Sequence, residues 1–126
     1  IFLTGDFNEP SHLDWTEEAA QTGLHPLKVA FPTSIQVTEA GLKDAFRQLY
    51  PAPVAAPGFT WPAGTYPETP DSSVTDPADR IDFVYFTGEK VKVKNVQRIG
   101  EASETSDISF PKYPSDHRAV LVTFDL

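Results

Sequence analysis

The chain has 126 residues, 40% of them hydrophobic and nine of them Phe, which is enough for a single domain with its own core. Eighteen acidic residues against ten basic ones leave a net charge of −8, which repels phosphate backbones at long range and argues against a tight nucleic-acid binder. The absence of Cys excludes a disulfide framework, a zinc–thiolate site and a cysteine nucleophile, and no stretch approaches the roughly 20 apolar residues of a membrane span.

Ile1-Phe2-Leu3-Thr4 reads as a buried strand ending at Gly5. Thr16 suits the N-cap of a helix opening on Glu17-Glu18, where acidic side chains complement the helix dipole. Leu24 to Thr33, with Pro26 and Pro32, reads as loop. Ser34 is expected to cap a helix running to Ala40, with Gly41 at the C′ position. Lys43 to Tyr50 reads as a further helix, stopped by Pro51. Pro51 to Ala78 is rich in Pro, Gly, Ala, Ser and Thr and reads as loop, with a short strand at Phe59-Thr60-Trp61.

Arg80 to Phe86 is apolar on both faces after Asp82 and predicts a central strand. Val91 to Val96 alternates with period two and predicts a half-exposed strand. Glu101 to Pro114 is a polar loop, and Ala119 to Phe124 is a second buried strand. Strands near both ends with helices between them imply a layered α/β or α+β fold. Neither an internal repeat nor a domain boundary is visible.

Three polar clusters fall at the ends of the apolar strands. Asp6 and Asn8 are two residues apart, so in an extended segment both leave the same face. Asp82 enters its strand after Arg80 on one face. Ser115-Asp116-His117-Arg118 leads into the last strand. Together these residue types can orient a water, hold a phosphate oxygen and bind a hard cation such as Mg²⁺. A protonated His117 can donate to a phosphoryl oxygen, and a carboxylate such as Asp82 would hold its tautomer. Each cluster also has a plainer reading. Asp-x-Asn after Gly is a common turn whose side chains bond their own backbone. Arg80 with Asp82 can be a local ion pair, and Asp116-His117 a surface pair.

The motifs GDFN (Gly5 to Asn8), DRIDFVY (Asp79 to Tyr85) and PSDHRAVLVTF (Pro114 to Phe124) together resemble the endonuclease/exonuclease/phosphatase superfamily, the deoxyribonuclease I-like metal-dependent phosphoesterases. The resemblance runs along the entire chain. The segments NEPSHLDWT, FPTS, AGLKDAFRQLYP and PGFTWP are similar to a bacterial branch of unassigned, often secreted hydrolases, which implies an extracytoplasmic address.

The implied fold is α+β, half of a four-layer sandwich of mostly antiparallel sheets with helices outside. Residues 1–126 would be the C-terminal half, without the N-terminal half that in the family carries the principal metal-binding Glu. The implied partner of the uncovered sheet face is that other half or a second copy of the chain.

The resemblance implies that Asp6 orients or activates the attacking water and that Asn8 contacts the scissile phosphate. Asp82 would buttress His117, and His117 would stabilise the developing charge. Asp116, with Asp6 and Asn8, would hold Mg²⁺ or Mn²⁺. Arg80 and Ser115 would play supporting roles. The implied substrate is a phosphorylated small molecule, a lipid headgroup or nucleic acid. Activity of the isolated half is expected to be weak or absent. The alternative is a non-catalytic binding or assembly module that keeps the fold.

His12, four residues past Asn8, could line the same cleft and touch substrate, or pack a turn. Glu9, Glu17 and Glu18 match no metal-binding motif, and His25 sits in a Pro-flanked loop. Trp15 and Trp61 could stack on a base or pack in the core. Lys90, Lys92 and Lys94 alternate on one strand face, which reads as solvated edge protection.

Overall fold

The computed structural model describes residues 1–63 and 78–126. Of the long loop expected from Pro51 to Ala78, residues 64–77 lie outside the described residues. The element order is β1 (Phe2–Asp6), α1 (Glu17–Gln21), α2 (Pro32–Glu39), β2 (Lys43–Asp44), α3 (Ala45–Leu49), β3 (Asp82–Phe86), β4 (Lys92–Gly100), β5 (Ile108–Ser109) and β6 (Ala119–Asp125).

The strands form two three-stranded sheets, ordered β1-β3-β2 and β5-β4-β6. All pairs are antiparallel except β4 with β5. The mixed sheets and short helices make an α+β fold. As its two-faced apolar pattern predicts, β3 is central in its sheet, and Phe83, Tyr85 and Phe86 are buried. The sheets meet where Phe124 of β6 packs on Phe2 of β1 and Phe86 of β3, with ring centroids 4.9 and 5.1 Å apart.

Two strands expected to be buried are not. β1 bonds only to β3 among the described strands, and Phe2 and Leu3 are 51% and 39% exposed. β6 alternates half-buried and exposed residues, with Leu121 44% exposed, because only one of its faces meets β3 and the phenylalanines. An apolar run shows that a strand can be covered. Its place at the edge of a sheet decides whether it is.

Local signals account for the helix ends, with two changes. Thr16 caps α1, accepting from Ala19 N at 3.2 Å. Ser34 is not the cap of α2. The helix starts at Pro32, a residue suited to the first turn because it has no N–H to satisfy. Capping comes instead from Glu9, whose carboxylate accepts from Thr33 N at 2.9 Å. Gly41 takes the positive φ of 86° expected after α2. The segment from Lys43 splits: Lys43–Asp44 pairs with β3, and Asp44 then caps α3 through Phe46 N and Arg47 N. Phe59-Thr60-Trp61 forms only an isolated bridge, Trp61 with Asp79.

α3 touches strands of both sheets, β3 and β4, and places the Phe46 ring against Gly58. Gly58 has φ +70°, and a Cβ there would overlap that ring. Gly58→Ala is therefore expected to cost about 1–3 kcal/mol, seen as a lower urea midpoint with unchanged m-value.

Candidate active site

The C-terminal end of β1, the start of β3 and the turn before β6 converge. Antiparallel pairing sets Asp6 opposite Asp82. His117 reaches both: its Nδ1 is 2.9 Å from Asp82 Oδ2 and its Nε2 is 4.0 Å from Asp6 Oδ2. A carboxylate only accepts, so Nδ1 carries the hydrogen and Nε2 is left toward Asp6. One ligand atom from each of the three lies within 4.8 Å of the others, a grouping able to hold a metal ion. All three are at least partly open to solvent.

The other residues singled out in the sequence fall at varied distances from this centre. Asn8 does not share an extended face with Asp6. Its φ is 49° and its N–H bonds Asp6 Oδ1 at 2.8 Å, so the chain turns sharply after β1. Asn8, Asp116 and His117 line one cleft with Pro10, Trp61, Asp79 and Ile81. Asp6 and Asp82 line a second, shallow cleft against Ala119 and Val120. Asp116 thus borders the site without joining the three-atom group. Ser115 accepts from His117 N at 3.0 Å and shapes the turn that presents the imidazole.

Two candidates point elsewhere. Arg80 does not pair with Asp82. Its buried guanidinium holds Asp14 and Asp44 through four hydrogen bonds of 2.7–3.1 Å. His12 lies outside the described clefts, and its Nδ1 and backbone N both engage the Ser34 hydroxyl, at 2.8 and 2.9 Å. His12 therefore ties the loop after β1 to α2. Trp15 is buried, stacked on His25 and bonded through Nε1 to Asp79, so it packs, whereas Trp61 lines the cleft.

The chain matches the model of the Endonuclease/Exonuclease/phosphatase family over residues 1–117. It belongs to that family. Members of the endonuclease/exonuclease/phosphatase family are in general metal-dependent phosphoester hydrolases. The chain is also 35% identical over 129 aligned residues to an uncharacterized protein of Caenorhabditis elegans, covering 98% of this chain and 40% of that protein. The chain thus spans less than half the length of this relative, which is a nematode protein and lends no support to a bacterial branch. No solved structure matches it significantly. No helix among the described residues is long and apolar enough to cross a membrane.

Within this family member, the electrostatics single out His117. Partial burial lowers its pKa, but the Asp82 hydrogen bond and the charges of Asp82, Asp6 and Asp116 outweigh that, so the net shift is upward from 6.5. An NMR titration should place the His117 midpoint above 6.5, and Asp82→Asn should bring it down. The associated stability is present in full below about pH 6.5, the unfolded value, and is lost as pH rises through the folded one.

Asp79 escaped the motif reading although it stands inside DRIDFVY. Burial raises its pKa, opposed by the Trp15 hydrogen bond and the nearby His25. An Asp directly before a buried Arg was the available signal, but the pairing with Trp15, 64 residues away, was not visible from spacing.

Proposed function

We propose that the protein hydrolyses a phosphoester bond, with Asp6, Asp82 and His117 at the centre and Asn8 and Asp116 at the rim. The observation that carries this reading is the 2.9 Å bond between His117 Nδ1 and Asp82, which leaves His117 Nε2 beside Asp6. Asp82 holds the imidazole in one tautomer and favours its charged form. His117 then donates from Nε2 to a phosphoryl oxygen as negative charge grows in the transition state. Asp6 accepts the proton of the attacking water. The water oxygen bonds to phosphorus, the phosphorus–leaving-group bond breaks, and the leaving oxygen takes a proton from solvent, to which Asp6 releases the one it accepted. Asn8, turned toward the cleft, offers its amide to the phosphate.

The donor set suits a divalent cation that prefers oxygen ligands. Asp6 and Asp82 would hold Mg²⁺ or Mn²⁺, with Asp116 adding a third carboxylate nearby. Bound there, the ion would supply Lewis-acid stabilisation of phosphoryl charge. Two carboxylates with a third nearby are few ligands, so binding by these residues is expected to be weak and turnover slow. The net charge of −8 favours a small phosphorylated substrate over a nucleic-acid duplex. The two sheets are proposed to be part of a four-layer sandwich.

Hydrolysis of a chromogenic phosphodiester and of a phosphomonoester tests the reading. Turnover is expected with Mg²⁺ or Mn²⁺ and should vanish with EDTA. No turnover of either ester with either ion would overturn hydrolysis by this chain on its own.

A further inference from the structure

The two site-bearing segments, at the start of β3 and before β6, belong to different sheets, and among the described residues no backbone ladder joins them. One buried residue bonds to both. Thr60 is 0% exposed and sits outside every regular element. Its hydroxyl accepts from two successive amides, Ile81 N at 3.1 Å and Asp82 N at 3.2 Å. Its carbonyl accepts from Arg118 N at 2.7 Å, one residue past His117. Its own N–H bonds Asp79 O at 2.9 Å.

The neighbouring residues reinforce the same tie. Arg118 Nη1 donates to Phe59 O at 3.2 Å, while its Nε and Nη2 hold Glu101. Ala63 N donates to Asp116 O. We infer that Thr60 is a positioning residue, whose hydroxyl and carbonyl together set Asp82 at hydrogen-bond distance from His117.

The Asp82 amide is held by the Thr60 side chain, so the Asp82 carboxylate is located relative to Thr60. The amide after His117 is held by the Thr60 carbonyl, so the imidazole is located relative to the same residue. Val has the shape of Thr without the oxygen. Thr60→Val would strand two amide donors in a buried place, and the start of β3 must move to recover partners. A displacement of about 1 Å at a reacting group can cost up to about a hundredfold in rate. Thr60→Ser keeps the oxygen and loses only a methyl group.

The kinetic arm of the test rests on the phosphoesterase reading, while the spectroscopic arm does not. In wild-type protein the His117 Nδ1 proton, bonded to Asp82, should give a downfield proton resonance. Thr60→Val should lose or shift that resonance and lower kcat about tenfold or more with KM little changed, and Thr60→Ser should restore both. A folded Thr60→Val protein with the wild-type resonance would overturn the inference and leave Thr60 a packing residue. A wild-type protein without hydrolytic activity would count against the phosphoesterase reading, and the resonance would still decide the role of Thr60. If Thr60→Val does not fold, hydrogen exchange in the wild-type protein decides. Protected Ile81 and Asp82 amides that become labile in Thr60→Ala are expected, and amides that exchange freely in wild type overturn it.

Discussion

Arg80→Ala should lower the unfolding free energy by about 3–5 kcal/mol. Arg80 and Arg47 form a buried group with Asp14 and Asp44 in which two positive and two negative side chains balance. Side-chain exposure is 5% or less for all four. Burial alone would lower the Arg80 pKa, but Asp14 and Asp44 raise it strongly, so the guanidinium stays charged. It also lies over the Phe83 and Phe46 rings, its Cζ 4.6 and 5.2 Å from their centroids.

Truncating Arg80 removes four hydrogen bonds and leaves two carboxylates facing each other with only Arg47 to offset them. The cost arises from that uncompensated buried charge rather than from the worth of the pair itself. Urea unfolding at neutral pH measures it. A loss under about 1 kcal/mol would show that water reaches the group and that it behaves as an exposed pair. Because the same Arg80 directly precedes Ile81 and Asp82, the expected partial unfolding would also loosen the candidate site. The network thus supports function through the fold and not through contact with substrate.

His117→Ala should reduce kcat/KM for a phosphodiester by about 10²–10³-fold without lowering the urea midpoint by more than about 1 kcal/mol. The imidazole is partly exposed and anchors no core group, so its removal should leave the fold intact. Asp82→Asn should act more mildly at low pH and more severely at high pH. Without the carboxylate, His117 loses the partner that keeps it protonated, so the basic limb of the rate profile should move to lower pH. Steady-state rates across pH 5 to 9 for both variants measure these effects. An Asp82→Asn profile that overlays the wild type would dismiss His117 as the charged donor. Equal loss at all pH values would mean that Asp82 acts chiefly by holding the metal ion and not by keeping His117 charged.

Much of the candidate site was legible because its residues stand in short motifs at strand ends. Asp6, Asp82 and His117 were each identified from such motifs, and the structure gathers them within hydrogen-bond or ion-pair reach. The plainer turn reading of Asp6 and Asn8 also holds in part, since Asp6 bonds the Asn8 amide. The possible pairing of Arg80 with Asp82 does not form, because spacing along a strand indicates a shared face only inside the strand, and Arg80 lies before β3 begins. Thr60 was passed over because its neighbours looked like a short strand, whereas its hydroxyl's partners are backbone amides 21 and 22 residues away.

The sequence by itself determined the strands at β3 and β4, the Thr16 cap, the Gly41 terminator and the acidic ends of the site. These follow from interactions between residues two to four apart, which composition and period report directly. The tertiary structure alone decided which strands lie at edges, that Asp14 and Asp44 neutralise Arg80, that Glu9 caps α2, and that Thr60 bridges the two sheets. The side-chain pairings among them join residues 21 to 66 positions apart. A buried polar atom must find a partner wherever packing brings one, and local spacing carries no record of which partner that will be.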